Sequence, residues 1–348
     1  MPKALPTGWH FARPKLAEHY LRSFDLGLIS ATALHARRRM GKTEFLTKDL
    51  TPAAHAKGYV VGYCNLWQEE QEPVEAIAEA VAATAQPRRL FAKVRAKINS
   101  PVTTLKFSFA AFDKSGNKGL LLIDEAQVLA DRSHRALEKA LRALLDTRKD
   151  RLHVIFTGSS EDRLRTMFAA EDKAFYNWAR VEPLPLLGEE FVRELTRRAN
   201  VLTTMKLDVK DALKAFEALK QIPELFRRFL SQYLGNAFEG VDRAIETCKQ
   251  TVYLEEGFAA RWVKMLPADR LLLQAVAAGE TDLHGAASLV RIGQALGLGR
   301  SADRSVPQNA LKRLRDRQIL IQTDTGVYRY EDDSFKDWVL AEQAEERP

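Results

Sequence analysis

Cysteine is nearly missing from this sequence: Cys64 and Cys248 are the only two among 348 residues. Two thiols so far apart in the chain build neither a disulfide framework nor a cysteine-rich zinc site. Long apolar runs are missing too. Even Gly119-Leu120-Leu121-Leu122-Ile123 falls far short of the ~18 residues a membrane span needs, and suits a buried strand instead. The start, Met1-Pro2-Lys3-Ala4-Leu5-Pro6, lacks the apolar region of a secretory signal. These absences predict a cytoplasmic protein with no membrane partner. Neither sign of charge dominates, since 53 Lys+Arg stand against 46 Asp+Glu for a formal net charge of +7. That mild excess is compatible with a polyanionic partner without requiring one. What the chain does have is core material: 46% of its residues are hydrophobic and 28% charged, a globular balance. Its length predicts two or three domains at roughly 100–200 residues each.

Residues 28–34 read as a strand, 35–43 as a loop and 44–50 as the start of a helix. A strand rich in β-branched and aromatic residues follows over 59–67, then an Ala- and Glu-rich helix over 74–97, then short apolar strands at Leu120–Ile123 and Leu152–Thr157. Strands alternating with helices predict a doubly wound α/β domain around a parallel sheet, covering residues 1–186. The Pro-rich stretch Val181-Glu182-Pro183-Leu184-Pro185-Leu186-Leu187-Gly188 reads as a connector. Beyond it apolar residues recur at helical spacing, which predicts a helical domain over 187–260. From about 261 to 348, three helices, the strands Ile319–Gln322 and Val327–Tyr330 around a turn, and a closing helix with Trp338 outline a winged helix-turn-helix.

The chemistry concentrates in two segments. A phosphate-binding loop follows G-x-x-x-x-G-K-[ST], in which backbone N–H groups cradle phosphates, the lysine reaches the β/γ oxygens and the hydroxyl ligates Mg²⁺. Ala36-Arg37-Arg38-Arg39-Met40-Gly41-Lys42-Thr43 meets this pattern except at Ala36, which stands where the first glycine belongs. Alanine is acceptable there if the backbone keeps φ negative. The loop lies between a predicted strand and a predicted helix, whose N-terminus adds attraction for an anion. Gly119-Leu120-Leu121-Leu122-Ile123-Asp124-Glu125-Ala126-Gln127 is an apolar strand ending in two carboxylates. Asp124 is the candidate to hold Mg²⁺ or its water, and Glu125 the candidate to polarise an attacking water.

Arg37–Thr43, Leu121–Gln127 and Ile155-Phe156-Thr157-Gly158-Ser159-Ser160 together resemble the archaeal-type ATPase branch of the STAND/AAA+ P-loop NTPases. The segment from Tyr328 to Trp338 is similar to the end of that family's winged-helix domain, so the resemblance spans most of the chain. The sequence departs from the family at Ala36 and in the lid, where Gln221-Ile222-Pro223-Glu224-Leu225-Phe226-Arg227 replaces a Gly-x-Pro motif. The resemblance implies an ATPase core, a helical lid and a winged helix, with ATP/ADP and Mg²⁺ as ligands. It implies nucleotide contacts from Arg38, Arg39, Met40, Gly41, Lys42, Thr43 and Glu44, and from Phe11 and Arg13 over the adenine. By the same resemblance Thr157 or Ser159 senses the γ-phosphate, Arg180 acts as an arginine finger in a ring, and Arg227 or Arg228 serves as a second sensor in the lid.

At the C-terminal end, Arg300, Arg304, Lys312, Arg313, Arg315 and Arg317 outnumber Asp303 and Asp316. A recognition helix starting near Ser305-Val306-Pro307 predicts Gln308, Asn309, Lys312 and Arg313 on its exposed front, able to meet double-stranded DNA, with Leu311, Leu314 and Ile319 inside. A winged helix also serves protein docking; the charge density of the segment favours DNA, and the acidic Glu331-Asp332-Asp333 does not. Three functions remain open: an ATP-hydrolysing switch coupled to homo-oligomerisation and DNA, a slow nucleotide-gated scaffold for a protein partner, and an initiator- or transposition-type DNA ATPase.

Overall fold

The computed structural model describes residues 8–67, 72–85, 101–324 and 326–345, and divides them between Leu186 and Leu187 into two compact units. The first unit opens with α1 (Pro14–Asp25) and β1 (Ala31–His35). A helical stretch, α2, runs through Lys42–Glu44, Phe45–Leu50 and Thr51–Ala56, its middle part wound as a π-helix in which the Thr51 N–H reaches back to the Leu46 carbonyl. Then come β2 (Val60–Asn65), α3 (Pro73–Ala85), α4 (Pro101–Ser115), β3 (Gly119–Asp124), α5 (Arg135–Asp146), β4 (Leu152–Gly158), α6 (Glu161–Ala169) and β5 (Arg180–Pro183).

The five strands form one sheet in the order β2-β3-β4-β1-β5, with every pair parallel. β3 and β4 are buried at every position, which is why apolar residues dominate both, with Asp124, His153 and Thr157 as the buried polar exceptions. Alternate side chains serve opposite faces. Leu121 and Ile123 pack with Ile77, Phe109 and Leu141, whereas Leu120 and Leu122 pack with Tyr20, Leu21 and Phe45. Because β4 lies between β1 and β3, the ends of β1, β3 and β4 sit side by side. Ligands of doubly wound sheets bind at such a crossover, outside the carboxyl ends of the strands.

Several boundaries differ from those read in the sequence. β1 begins at Ala31, and Leu28 is exposed before it. The helix expected over 74–97 is seen as Pro73–Ala85, and residues 86–100 lie outside the described residues. The expected connector begins too early, because Val181-Glu182-Pro183 belongs to β5. That strand is at the sheet edge, where a terminal proline costs no ladder bond.

The second unit starts with α7 (Glu189–Val201), α8 (Val209–Ala218), α9 (Pro223–Gly235), α10 (Gly240–Glu255) and α11 (Phe258–Val263). Phe191, Phe216 and Phe226 form a ring cluster at centroid separations of 5.3–5.7 Å, joining α7, α8 and α9. α12 (Pro267–Ala277), α13 (Ala286–Ala295), α14 (Ser305–Asp316), β6 (Leu320–Asp324), β7 (Val327–Tyr330) and α15 (Asp333–Glu345) follow, with β6 and β7 paired antiparallel. Leu311, Leu314 and Ile319 are buried with Leu272, Phe335 and Trp338. Arg313 corrects the expected front of α14. Its Nη2 donates at 2.6 Å to Asp269 Oδ1 on α12, a carboxylate with no exposure. A buried charge needs a partner, so Arg313 turns inward while Gln308, Asn309, Lys312 and Arg315 stay exposed.

Candidate functional site

The loop after β1 carries two left-handed residues, Arg39 at φ 65° and Gly41 at φ 80°. Glycine fits the second without strain. Ala36 is not among the positive-φ residues, which is the condition under which alanine replaces the first glycine at little cost. Its N–H donates to the Gly158 carbonyl at 3.2 Å, tying the loop to the end of β4. Lys42 starts α2 and is buried. Its ammonium donates to the Ala36 carbonyl at 2.9 Å and the Arg37 carbonyl at 3.3 Å, so it folds over its own loop.

Asp124 ends β3 and has no exposure. Four donors satisfy it. Thr43 Oγ1 donates to Oδ2 at 2.5 Å and Tyr63 OH at 3.3 Å, while the Glu125 N–H donates to Oδ1 at 3.0 Å and Thr157 Oγ1 meets the same oxygen. Such a buried carboxylate is fixed in place, since each donor offsets part of its lost hydration. Burial pushes the Tyr63 phenol well above its ordinary pKa, with the Asp124 charge adding to the effect, so the hydroxyl remains a donor.

Glu125 adopts the left-handed conformation at φ 55°, uncommon for a residue with a side chain, and its carboxylate is turned toward β4. Oε2 accepts from Ser159 Oγ at 2.7 Å, from the Ser159 N–H at 3.2 Å and from Gln127 Nε2. Oε1 lies 3.8 Å from Lys42 Nζ. The strand order therefore gathers Lys42, Thr43, Asp124, Glu125, Thr157 and Ser159 at one place.

The remaining candidates divide. Arg13 Nη2 donates to the Gly41 carbonyl at 2.8 Å, its guanidinium lies 4.9 Å over the Phe45 ring, and the Arg13 backbone N–H donates to Asp49 Oδ1 at 3.2 Å. It grips the loop itself. Burial lowers the Arg13 pKa from the usual arginine value, while the Asp49 and Glu44 charges oppose that shift. His10 Nε2 pairs with the same Asp49 at 2.8 Å, and Glu44 accepts from Lys48 at 2.7 Å. Arg38 is exposed and stacks at 4.4 Å on Trp67, Met40 is buried, and Phe11 is half-buried ahead of α1. Arg180 is the first residue of β5, with 80% of its side chain exposed and Glu182 at 3.5 Å. Arg227 and Arg228 belong to α9 of the second unit, where Arg228 donates to Glu224 at 2.8 Å and also binds Glu255.

Tyr63 and Gln127 were missed as site residues. Gln127 was legible, two places after Glu125 in the strand-end motif. Tyr63 had a weaker signal: it lies two positions before Asn65, the residue in register with Asp124. A separate cavity of about 810 Å³ lies at the opposite, amino ends of the strands, lined by Phe24, Asp25, Lys118, His153, Trp178 and Arg180.

Against solved structures the whole chain aligns. The Walker-type ATPase PABY2304 of Pyrococcus abyssi superposes with a TM-score of 0.64 at 17% identity, covering 94% of this chain and 95% of that one. The chain has the fold of that ATPase. The ORC2 protein of Aeropyrum pernix in its ADP form is similar over 100% of this chain and 98% of its own, with a TM-score of 0.62 at 16% identity. The ORC2 protein in ADPNP–ADP complexes gives a TM-score of 0.60 at 14% identity, over 95% and 93% of the two chains. No protein-family model matches the sequence, and no curated protein matches it significantly. Among the described residues no helix is long and apolar enough to cross a membrane.

Proposed function

We propose that the protein binds ATP at the carboxyl ends of β1, β3 and β4 and hydrolyses it. The observation that carries this reading is the convergence of Lys42, Thr43, Asp124 and Glu125, with Lys42 Nζ only 3.8 Å from Glu125 Oε1. Lys42 exchanges its carbonyl partners for the β/γ-phosphate oxygens, and the loop N–H groups bind the phosphates beside it. Thr43 Oγ1 and Asp124 Oδ2, hard oxygens joined by a hydrogen bond, are the donor type that suits Mg²⁺ and would hold it. When bound, the ion neutralises charge on the phosphates. Glu125 takes the proton of the attacking water as its oxygen bonds to the γ-phosphorus and the bond to the bridging oxygen breaks, releasing ADP and phosphate. Thr157 or Ser159 is the candidate first sensor, each hydroxyl now donating to a carboxylate, Asp124 and Glu125 respectively. Arg227 or Arg228 on α9 is the candidate for a second sensor.

The exposure of Arg180 supports a role in a neighbouring subunit's site within a homo-oligomer. Exposed Arg304, Lys312 and Arg315, with Gln308 and Asn309 between them, support double-stranded DNA as the partner of α14 over a protein. Nucleotide titration tests the core of the reading. Wild type is expected to bind Mg²⁺-ATP, and Lys42→Ala to lose most of that affinity because the ammonium is its main charge on the phosphates. Equal affinity of the two proteins would refute the assignment.

A further inference from the structure

The reading of Glu125 as the group that takes water's proton leaves a question of aim, because a glutamate side chain has three rotatable bonds and only one orientation serves the γ-phosphate. Gln127 supplies an answer. Its side chain is buried at 2% exposure, and Nε2 donates both to Glu125 Oε2 and, at 3.0 Å, to Ser159 Oγ. The two amide hydrogens are thereby spent on the two groups at the ends of β3 and β4. Oε2 of Glu125 receives Gln127 Nε2, Ser159 Oγ and the Ser159 N–H, so this oxygen is saturated and immobile. Oε1 is left on the side of Lys42. Anchoring one oxygen of a planar carboxylate fixes where the other points.

Space for the amide is built into the strand end. A Cβ placed on Gly158 would meet Gln127 Oε1 at 2.6 Å, which is too close. Gly158 is thus bare where the Gln127 side chain lies across the end of β4. The Gln127 Oε1 atom is buried and has no hydrogen-bond partner. A buried amide oxygen without a partner costs free energy. Turning the amide over would satisfy nothing, since it would set that oxygen against the Glu125 carboxylate. The orientation with Nε2 toward Glu125 is retained at that cost.

We infer that Gln127 is a positioning residue for hydrolysis: its amide, together with Ser159, pins Oε2 of Glu125 and so aims Oε1 at the water that attacks the γ-phosphate. Gln127 touches neither nucleotide nor water in this role and acts only through Glu125. The inference rests on the assignment of Glu125, and its test keeps the two apart.

Turnover at saturating Mg²⁺-ATP and, separately, ATP affinity are measured for wild type, Gln127→Met, Gly158→Ala, Glu125→Gln and the double variant Glu125→Gln/Gln127→Met. Methionine keeps the volume of Gln127 and removes both donors. Loss of a hydrogen bond to a charged group predicts a fall in kcat of about tenfold or more, with ATP Kd within about twofold of wild type. Gly158→Ala displaces the amide without deleting it and is expected to lower kcat in the same direction by less. In the Glu125→Gln background Gln127→Met is expected to remove nothing further, because coupled residues are non-additive. Unchanged or faster turnover in Gln127→Met, a loss expressed in Kd rather than kcat, or a full additional loss in the double variant would overturn the inference while Glu125 kept its role. Wild-type turnover in Glu125→Gln would instead remove the underlying assignment, and the inference with it.

Discussion

The strand ends of the first unit and the exposed face of α14 in the second use polar residues in opposite ways. At the strand ends, Asp124, Gln127 and Thr157 are buried, and Glu125 and Ser159 nearly so, and each is held by its neighbours. On α14, Gln308, Asn309, Lys312 and Arg315 point outward. Buried polar groups must be satisfied in place, so they report a geometry that the fold has already set for chemistry. Exposed charges report only a field, which attracts polyanions without fixing how they dock. Arg313 belongs to the first kind although it sits on the second element.

That contrast is sharpest between two adjacent residues. Arg313→Ala leaves Asp269 buried and unpaired, and such a loss costs about 3–5 kcal/mol; the 34% exposure of the Arg313 side chain puts the expected value at the lower end. Chemical denaturation of the full chain checks this. A change within experimental error would mean that Asp269 is tolerated without its partner and that Arg313 is available on the surface after all.

A second buried group extends the comparison to pH. Burial holds the His153 imidazole down to about 4, and its ring stacks on Phe24 at 4.8 Å. A folded pKa below the unfolded value of about 6.5 means that the unfolded chain takes up the proton first. Stability is therefore complete above about pH 6.5 and falls as pH drops toward 4, by about 2–3 kcal/mol for this group. His153→Phe keeps the stacked ring and is expected to flatten that decline. Equal acid sensitivity in both proteins, followed by thermal melts between pH 7 and 5, would place the loss elsewhere.

The smallest effect belongs to the exposed side. Lys312→Ala is expected to change stability by no more than about 0.5 kcal/mol. If α14 binds duplex DNA, the same variant lowers the slope of log K against log[salt] by about 0.9, the share of one phosphate. An unaltered slope with intact wild-type binding would move DNA away from this face of α14.

Much of this contrast was legible in the sequence, for a physical reason. Gly41-Lys42-Thr43 and the Asp124-Glu125 pair are local motifs whose chemistry depends on neighbours in the chain. The mostly apolar runs at Leu120–Ile123 and Leu152–Thr157 announced central strands because burial on both faces leaves few polar positions. What the sequence withheld depended on pairing at a distance. Arg313 reads as a surface charge until Asp269 is placed beside it, forty-four positions away. Arg13 reads as a ligand contact until its guanidinium is seen on the Gly41 carbonyl. Val181–Pro183 reads as a linker because proline breaks a central strand, and only the sheet order reveals an edge.

On the proposed function, phosphate binding and water activation at the strand ends are separable, the first resting on Lys42 and the second on Glu125. The most direct test incubates wild type and Glu125→Gln with Mg²⁺-ATP, removes free nucleotide and identifies by chromatography what each protein retains. ADP is expected with wild type and intact ATP with Glu125→Gln. ADP retained equally by both proteins would contradict this expectation.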